Sequence, residues 1–205
     1  MIDTRRRVLI GATSMLATLP LARASEPETA AHIAAPLLGH FTAPKRLVVW
    51  GSCTCPFTAQ LFGVLRRIVI EMPKTVSVEW RHFPTHAPDP ALGVAALGFE
   101  GERFWGFMFR VLTEVYNAKG EFGTLNEAKL IEFAKAEGGT QATLKAAYAD
   151  QAKWRSVKED LLAGQLLGIT RTPAMFHNGY FMTPQGLPQD LPAFDKSLRT
   201  MLKPA

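Results

Sequence analysis

The strongest restriction on the fold of this 205-residue chain comes from a cysteine-bearing corner between an apolar run and a helical pattern. The apolar run Arg46–Gly51 predicts a buried strand that ends at a turn residue. The stretch WGSCTCPFT spans the corner and holds both cysteines of the chain, Cys53 and Cys55, one residue apart. Pro56 then opens a run of apolar residues at helical spacing, and Pro73 ends it. The chain must therefore turn from a strand directly into a helix at its two cysteines.

The middle of the chain predicts one more strand and then a long helical block. Alternating residues over 76–83 predict a second strand, and a strand–helix–strand unit implies parallel pairing through a right-handed crossover. Residues 91–167 carry helical patterns and no convincing strand, and the aromatic cluster within them is typical of a core rather than of a ligand site. The lead-in, residues 25–44, predicts partly helical structure at best.

The end of the chain predicts a hairpin and a helix. Asn178-Gly179 is a strong signal for a tight turn between two short strands, Ala174–His177 and Tyr180–Met182. Residues 190–203 predict a closing helix. The hairpin would add antiparallel strands to the parallel pair, so the sequence predicts a mixed sheet.

The N-terminus has the pattern of an export signal. Three arginines, Arg5 to Arg7, precede an apolar run, Val8–Leu19, which is too short and too broken to span a bilayer. Ala22-Arg23-Ala24 offers the small-x-small pattern of a cleavage site, so residues 1–24 are predicted to be a cleaved signal peptide. The stretch Thr4–Leu9 is similar to a twin-arginine signal, with the general secretory route as the alternative.

Charge and hydropathy exclude two classes of partner. Residues 1–24 hold four of the 23 basic and one of the 18 acidic residues, so the mature chain carries a net charge of about +2. No stretch of it is typical of a nucleic-acid-binding arm, and no second apolar segment is long enough for stable membrane insertion. We expect the protein in an oxidising compartment, the periplasm, where disulfides persist.

The proline at position 56 predicts the chemistry of Cys55. Proline favours the first position of a helix, which makes Cys55 the N-cap residue. Its sulfur would lie near the free N–H groups of Phe57 and Thr58, at the positive end of the helix dipole, where a thiolate is stabilised. The Thr58 hydroxyl could add a hydrogen bond to that thiolate. The corner therefore predicts an accessible, reactive cysteine, against the alternative of a buried, inert one.

Two motifs resemble those of the DsbA-like branch of the thioredoxin fold. Cys55-Pro56-Phe57-Thr58 is similar to the branch's C-P-x-C site, and the stretch Gly168–Ala174, GITRTPA, is similar to a loop in which the proline is cis and faces the active-site sulfur. The resemblance covers roughly residues 44–203. It implies an α/β, thioredoxin-like fold in residues 45–205, with a central mixed sheet and a helical insertion domain at about 91–167.

The resemblance also implies roles for particular residues. Cys55 would be the attacking thiolate, and Thr172 and Pro173 would hold an extended substrate segment by strand addition, beside Pro56 and Phe57. The resemblance implies no organic cofactor. His82 and His86 could join the two cysteines as four metal ligands, but their spacing matches no known zinc pattern, so no metal site is predicted. The chain departs from the branch in two ways. Thr58 stands where the second cysteine belongs, and Leu47–Val49 lacks the charged residue that the branch buries beneath its cysteines.

Cys53 leaves two readings of the missing second cysteine open. It could resolve mixed disulfides formed at Cys55, although a bridge between residues i and i+2 is strained. The site could instead use a single thiol, with Cys53 held inside the preceding loop. Bridging geometry decides between these readings, and the sequence does not contain it.

The predicted function is that of an exported thiol–disulfide oxidoreductase. Its partners would be exported proteins with cysteines, together with a redox partner protein or glutathione. One alternative is a non-catalytic binding protein or chaperone that keeps the fold without the redox cycle. The other is a monothiol enzyme linked to glutathione or peroxide.

Overall fold

A mixed sheet of five strands lies at the centre of the structure, a computed structural model that describes residues 33–114, 125–182 and 190–203. The predicted signal peptide, residues 1–24, lies outside the described residues. The strands are β1 (Leu37–Gly39), β2 (Lys45–Gly51), β3 (Val76–His82), β4 (Ala174–His177) and β5 (Tyr180–Phe181). They lie in the order β1-β3-β2-β4-β5.

The predicted strand–helix–strand unit and its parallel pairing are confirmed. Helix α1 (Pro56–Glu71) connects β2 to β3, which run parallel. Strand β4 pairs with β2 in the antiparallel direction, with Trp50 opposite Ala174. The end of β2 and the start of β4 therefore lie side by side at the same end of the sheet. This register brings the cysteine turn, which follows β2, next to Thr172 and Pro173, which precede β4.

The prediction for the lead-in was wrong where the structure describes it. Leu37–Gly39 form the edge strand β1, which pairs antiparallel with β3, and Leu38 lies opposite Val78. The Trp80 N–H donates to the Pro36 carbonyl at 2.9 Å, one residue before β1. Three residues show too little alternation to signal a strand, so pairing with β3 rather than local pattern decides their conformation.

The predicted helical block and the closing hairpin are confirmed. Asn178 (φ 52°) and Gly179 (φ 78°) form the turn between β4 and β5, both with the positive φ that a tight hairpin turn requires. The described parts of 91–167 hold helices and connections only. Besides α1, the described residues form five helices before the hairpin and one after it: α2 (Asp89–Ala96), α3 (Gly101–Glu114), α4 (Glu127–Ala136), α5 (Gln141–Ala149), α6 (Gln151–Leu166) and α7 (Leu191–Leu202).

The main core joins the sheet to the helices through aromatic side chains. Trp80 of β3 is fully buried, with its ring centroid 5.1 Å from that of Phe62 on α1 and 6.5 Å from that of Trp105 on α3. The aromatic residues of α3 are thus core residues, as predicted. Because the same aromatic contacts fix α1 against β3, they also fix the start of α1, where Cys55 lies.

Candidate active site

Cys55 caps α1, as the sequence predicts. Strand β2 ends at Gly51, and a turn closes where the Cys55 N–H donates to the Ser52 carbonyl at 3.3 Å. Cys55 keeps an extended conformation (φ −91°, ψ 120°), and Pro56 is the first residue of the helix. The missing N–H of proline costs nothing at this position, which explains why the helix begins here.

The Cys55 sulfur faces the loop before β4. Its Sγ donates to the Thr172 carbonyl oxygen at 3.4 Å, and the Thr172–Pro173 peptide bond is cis, as the resemblance implies. Within the described chain the sulfur makes no capping hydrogen bond to α1. A protonated thiol is a donor and turns toward a carbonyl, whereas a thiolate would accept from the helix N–H groups. Cys55 is only 8% exposed, so this corner is less accessible than predicted.

The two residues that follow the helix start differ in exposure. Phe57 is 50% exposed and offers an apolar ring beside the corner. Thr58 is fully buried, and its Oγ1 has no hydrogen-bond partner among the described residues. A thiolate at Cys55 would be an acceptor for that hydroxyl, so the role assigned to Thr58 stays a prediction.

Cys53 lies deeper than Cys55. It is 3% exposed and belongs to the main hydrophobic core. Burial, and next the negative charge of Asp89, raise the pKa of the Cys53 thiol well above its ordinary value. Both cysteines are free thiols. Cys53 is therefore a poor nucleophile in this state, and whether it resolves mixed disulfides stays a prediction.

A buried carboxylate lies beneath the cysteine turn, and the sequence analysis missed it. Asp89, the first residue of α2, is 2% exposed and accepts hydrogen bonds from the Ser52 hydroxyl (2.7 Å) and the Thr54 N–H (2.8 Å). The available signal was an aspartate between two prolines, Pro88 and Pro90, at the start of a helical pattern. Leu47–Val49 are apolar, as noted from the sequence, so the acidic group comes from α2 instead of β2.

His82 is a further buried titratable group at this end of the sheet. Its Nδ1 accepts from the Trp80 indole N–H at 3.0 Å, so the ring proton of the neutral form sits on Nε2. Burial, and next the positive charge of Arg81, lower the pKa of His82 from 6.5 to about 3. His82 is thus neutral over the physiological range and packs as a core residue.

We expect this histidine to make the protein acid-sensitive. Its pKa is lower in the folded than in the unfolded state, so its stabilising effect is present above pH 6.5 and is lost as pH falls toward 3. Protonation of His82 in the unfolded state between pH 7 and pH 4.5 should lower the free energy of unfolding by about 2–3 kcal/mol. Urea unfolding at both pH values measures this loss. His82→Gln should show a smaller loss, and the exposed His40→Gln control should match the parent. Equal losses in all three proteins would contradict the assignment.

The described residues show neither a metal cluster nor a membrane span. No group of three or more His, Cys, Asp or Glu among them could hold a metal ion. None of the described helices is long and apolar enough to cross a membrane. The absence of a metal and of a cofactor stays a prediction.

Comparison with known proteins decides the family. The family model Thioredoxin_4, described as Thioredoxin, matches residues 32–194, which is well over half of the chain. The chain belongs to this thioredoxin family. The match begins just before β1 and extends into α7, so it covers the sheet, the cysteine corner and the cis-proline loop. The α/β, thioredoxin-like fold with a helical insertion is thus confirmed.

Solved structures of other thioredoxin-fold proteins resemble this one. The thiol-disulfide exchange protein alpha-DsbA2 from Wolbachia pipientis is 16% identical, with a TM-score of 0.65 over 82% of this chain and 87% of that chain. A periplasmic thioredoxin-like protein from Salmonella enterica serovar Typhimurium is 20% identical, with a TM-score of 0.63 over 81% and 90%. The predicted resemblance to the DsbA-like branch is confirmed for the fold.

One curated protein is also similar in sequence. The Na(+)/H(+) antiporter NhaA 1 from Mycolicibacterium vanbaalenii is 24% identical over 143 residues, which are 69% of this chain. The chain spans about a quarter of the length of that protein, 23%. The similarity therefore concerns one part of the antiporter.

Proposed function

We propose that this thioredoxin-family protein is a thiol–disulfide oxidoreductase that acts on the cysteines of other proteins through Cys55. The observation that carries the proposal is the contact between the Cys55 sulfur and the Thr172 carbonyl at 3.4 Å, at the N-terminus of α1. This geometry places a potential thiolate at the positive end of a helix and beside the backbone that precedes the cis proline. A substrate segment lying along Thr172 would present its sulfur to Cys55.

The proposed reaction exchanges one disulfide for another. The Cys55 thiolate attacks one sulfur of a substrate disulfide, the S–S bond breaks, and the other substrate sulfur leaves as a thiolate. Cys53 then loses its proton and attacks the Cys55 sulfur, which forms a Cys53–Cys55 disulfide and releases the first substrate sulfur as a thiolate. The reverse sequence oxidises a substrate dithiol. A redox partner protein or glutathione sets the direction of exchange. Reduction of the Cys53–Cys55 disulfide drives the reduction of substrates, and re-oxidation of the two thiols drives the oxidation of substrates.

Substrate binding is proposed to use backbone pairing and one apolar side chain. Thr172 and Pro173 lie at the start of β4, so an extended peptide could continue the pattern of the sheet beside them. Phe57, half exposed, and Pro56 would contact apolar residues next to the substrate cysteine. Such binding is largely independent of sequence, as an enzyme acting on many exported proteins requires.

We place the protein in the periplasm. The support is the export-signal pattern of residues 1–24, which would deliver the chain to a compartment where disulfides persist. A similar structure is that of a periplasmic thioredoxin-like protein. The substrates would then be exported proteins with cysteines. Cleavage near Ala24 is checked by N-terminal sequencing of the protein recovered from the periplasm.

Capture of the mixed disulfide tests the proposal. We expect Cys53→Ser, incubated in the reduced form with a peptide disulfide, to accumulate one peptide on Cys55, because the serine cannot resolve the adduct. The parent protein should pass through the same adduct and finish with a Cys53–Cys55 disulfide. Intact mass after acid quenching and alkylation separates these species, and a non-reducing gel separates disulfides within and between chains.

The other outcomes are equally clear. An adduct on Cys55 that persists in the parent and is released only by glutathione would show that an external thiol, and not Cys53, resolves the mixed disulfide. Absence of any adduct on Cys55 in both proteins would contradict the oxidoreductase proposal. Sulfenic acid on Cys55 with peroxide alone would indicate the monothiol enzyme.

A second candidate function, polypeptide binding without catalysis, is favoured by one surface. Leu162, Leu166 and Leu167 are exposed at the end of α6, with Leu166 at 90%, just before the loop that carries Thr172. Exposed apolar patches mark binding sites for other proteins. Suppression of aggregation that survives Cys55→Ala and fails when Leu166 becomes Asp would favour this function.

A further inference from the structure

The carboxylate of Asp89 contacts the cysteine turn on both sides of Cys53. Its Oδ2 accepts from the Ser52 hydroxyl at 2.7 Å, and its Oδ1 accepts from the Thr54 N–H at 2.8 Å. Cys53 is the residue between these two donors. Asp89 therefore fixes the part of the backbone from which the Cys53 side chain enters the core.

Further donors from the loop before α2 surround the same carboxylate. The Thr85 N–H donates to Oδ2 at 2.8 Å, the His86 N–H at 3.1 Å, and the Thr85 hydroxyl at 3.3 Å. Each of these partners is a donor, which is the arrangement that stabilises a charged carboxylate. The side chain is 1% exposed, so water does little to screen this charge.

Burial and the negative charge of Asp89 both disfavour the thiolate form of Cys53. Cys53 is 3% exposed in the hydrophobic core, and the Asp89 charge further raises the pKa of its thiol. Cys55 caps α1 and turns its sulfur toward Thr172, at the positive end of the helix. A negative charge acts on one thiol and a helix N-terminus on the other.

We propose that Asp89 is a positioning residue that decides which cysteine attacks: it holds the Ser52–Thr54 turn and places a buried negative charge at the turn that carries Cys53, so that Cys55 reacts first. This inference rests on the proposed function for its consequence, the order of the two thiols in disulfide exchange. Its physical content, the suppressed reactivity of Cys53, stands without that function and is measured separately.

Other titratable groups come from the elements around the turn. His86 Nδ1 lies 2.8 Å from the Thr54 hydroxyl oxygen and 3.9 Å from Asp89 Oδ2, and its side chain is 55% exposed. His82, at the end of β3, is neutral above pH 4. Arg171 lies in the loop with Thr172 and is exposed, and the first turn of α1 adds no acidic residue. These groups are common to all the variants compared below.

The experiment measures alkylation of Cys53 by iodoacetamide as a function of pH, in a Cys55→Ala background where it is the only thiol. We expect Asp89→Asn to move the midpoint of the Cys53 profile to lower pH and to raise the alkylation rate at pH 8 about tenfold. A tenfold change corresponds to a midpoint lower by about one pH unit. Asp89→Glu, which keeps the charge, should retain the high midpoint. Ser52→Ala, which removes one contact but not the charge, should retain it too.

Three results would overturn the proposal. The first is a Cys53 profile that is unchanged in Asp89→Asn. The second is a shift in Asp89→Glu as large as that in Asp89→Asn, and the third is a shift of that size in Ser52→Ala. The last two would assign the effect to packing of the turn rather than to the charge. With Cys55 present, peptide mapping after a peptide disulfide should show adducts on Cys53 rising in Asp89→Asn. No adducts on either cysteine, together with the expected alkylation profiles, would contradict the proposed function and leave the role of Asp89 intact.

Discussion

Replacing Cys55 with alanine is expected to lower the rate of thiol–disulfide exchange on the order of a thousandfold or more, to that of the uncatalysed reaction. The other thiol at this corner, Cys53, cannot take over, because it is 3% exposed and its pKa is raised by burial and by Asp89. The initial rate of exchange with a peptide disulfide measures the effect, at a pH where the parent reaction is linear in protein concentration.

The matched control is the same substitution at the neighbouring cysteine. Cys53→Ala should still form the mixed disulfide at Cys55, since the start of α1 and the contact with Thr172 do not involve the Cys53 side chain. Release of the substrate from this mixed disulfide should then depend on added glutathione. If Cys55→Ala keeps most of the rate and Cys53→Ala loses it, Cys53 is the nucleophile and the assignment of roles is reversed.

The resemblance to the DsbA-like branch implied that Thr172 and Pro173 face Cys55, and the structure shows the physical reason for this contact. Proline at position 56 fixes the start of a helix, and the register of two adjacent strands then brings position 172 to the same edge of the sheet. The Thr-Pro loop and the cysteine corner are distant in sequence, but both lie next to strands that the apolar pattern predicts. Local signals and strand pairing thus agree at this site.

The parts that the sequence did not predict depend on contacts between distant segments. Leu37–Gly39 form a strand only because β3 offers an edge to pair with. Asp89 belongs to the site only because the loop before α2 folds under the Ser52–Thr54 turn, a contact across about 35 residues. The low exposure of Cys55 likewise comes from the loop that precedes β4. Neither propensity nor spacing contains such contacts.

Gly51→Ala is expected to lower the free energy of unfolding by about 1–3 kcal/mol, the usual cost of added volume in a packed core. A Cβ at Gly51 would lie 2.8 Å from the Thr58 Cγ2 atom and closer still to the ring of Trp80. Both side chains are fully buried, so neither can turn outward to make room. Because Thr58 lies in the first turn of α1, its displacement should also slow the reaction of Cys55.

Gly63→Ala is the control for this substitution, because it adds the same methyl group to α1, where nothing lies within 4 Å of the new Cβ. Alanine favours a helix interior over glycine, so this variant should be more stable than the parent by about 1 kcal/mol. Urea unfolding of the three proteins tests the opposite signs. Equal stability of Gly51→Ala and the parent would mean that the Trp80 ring moves freely, and the start of α1 would then not be fixed by this contact.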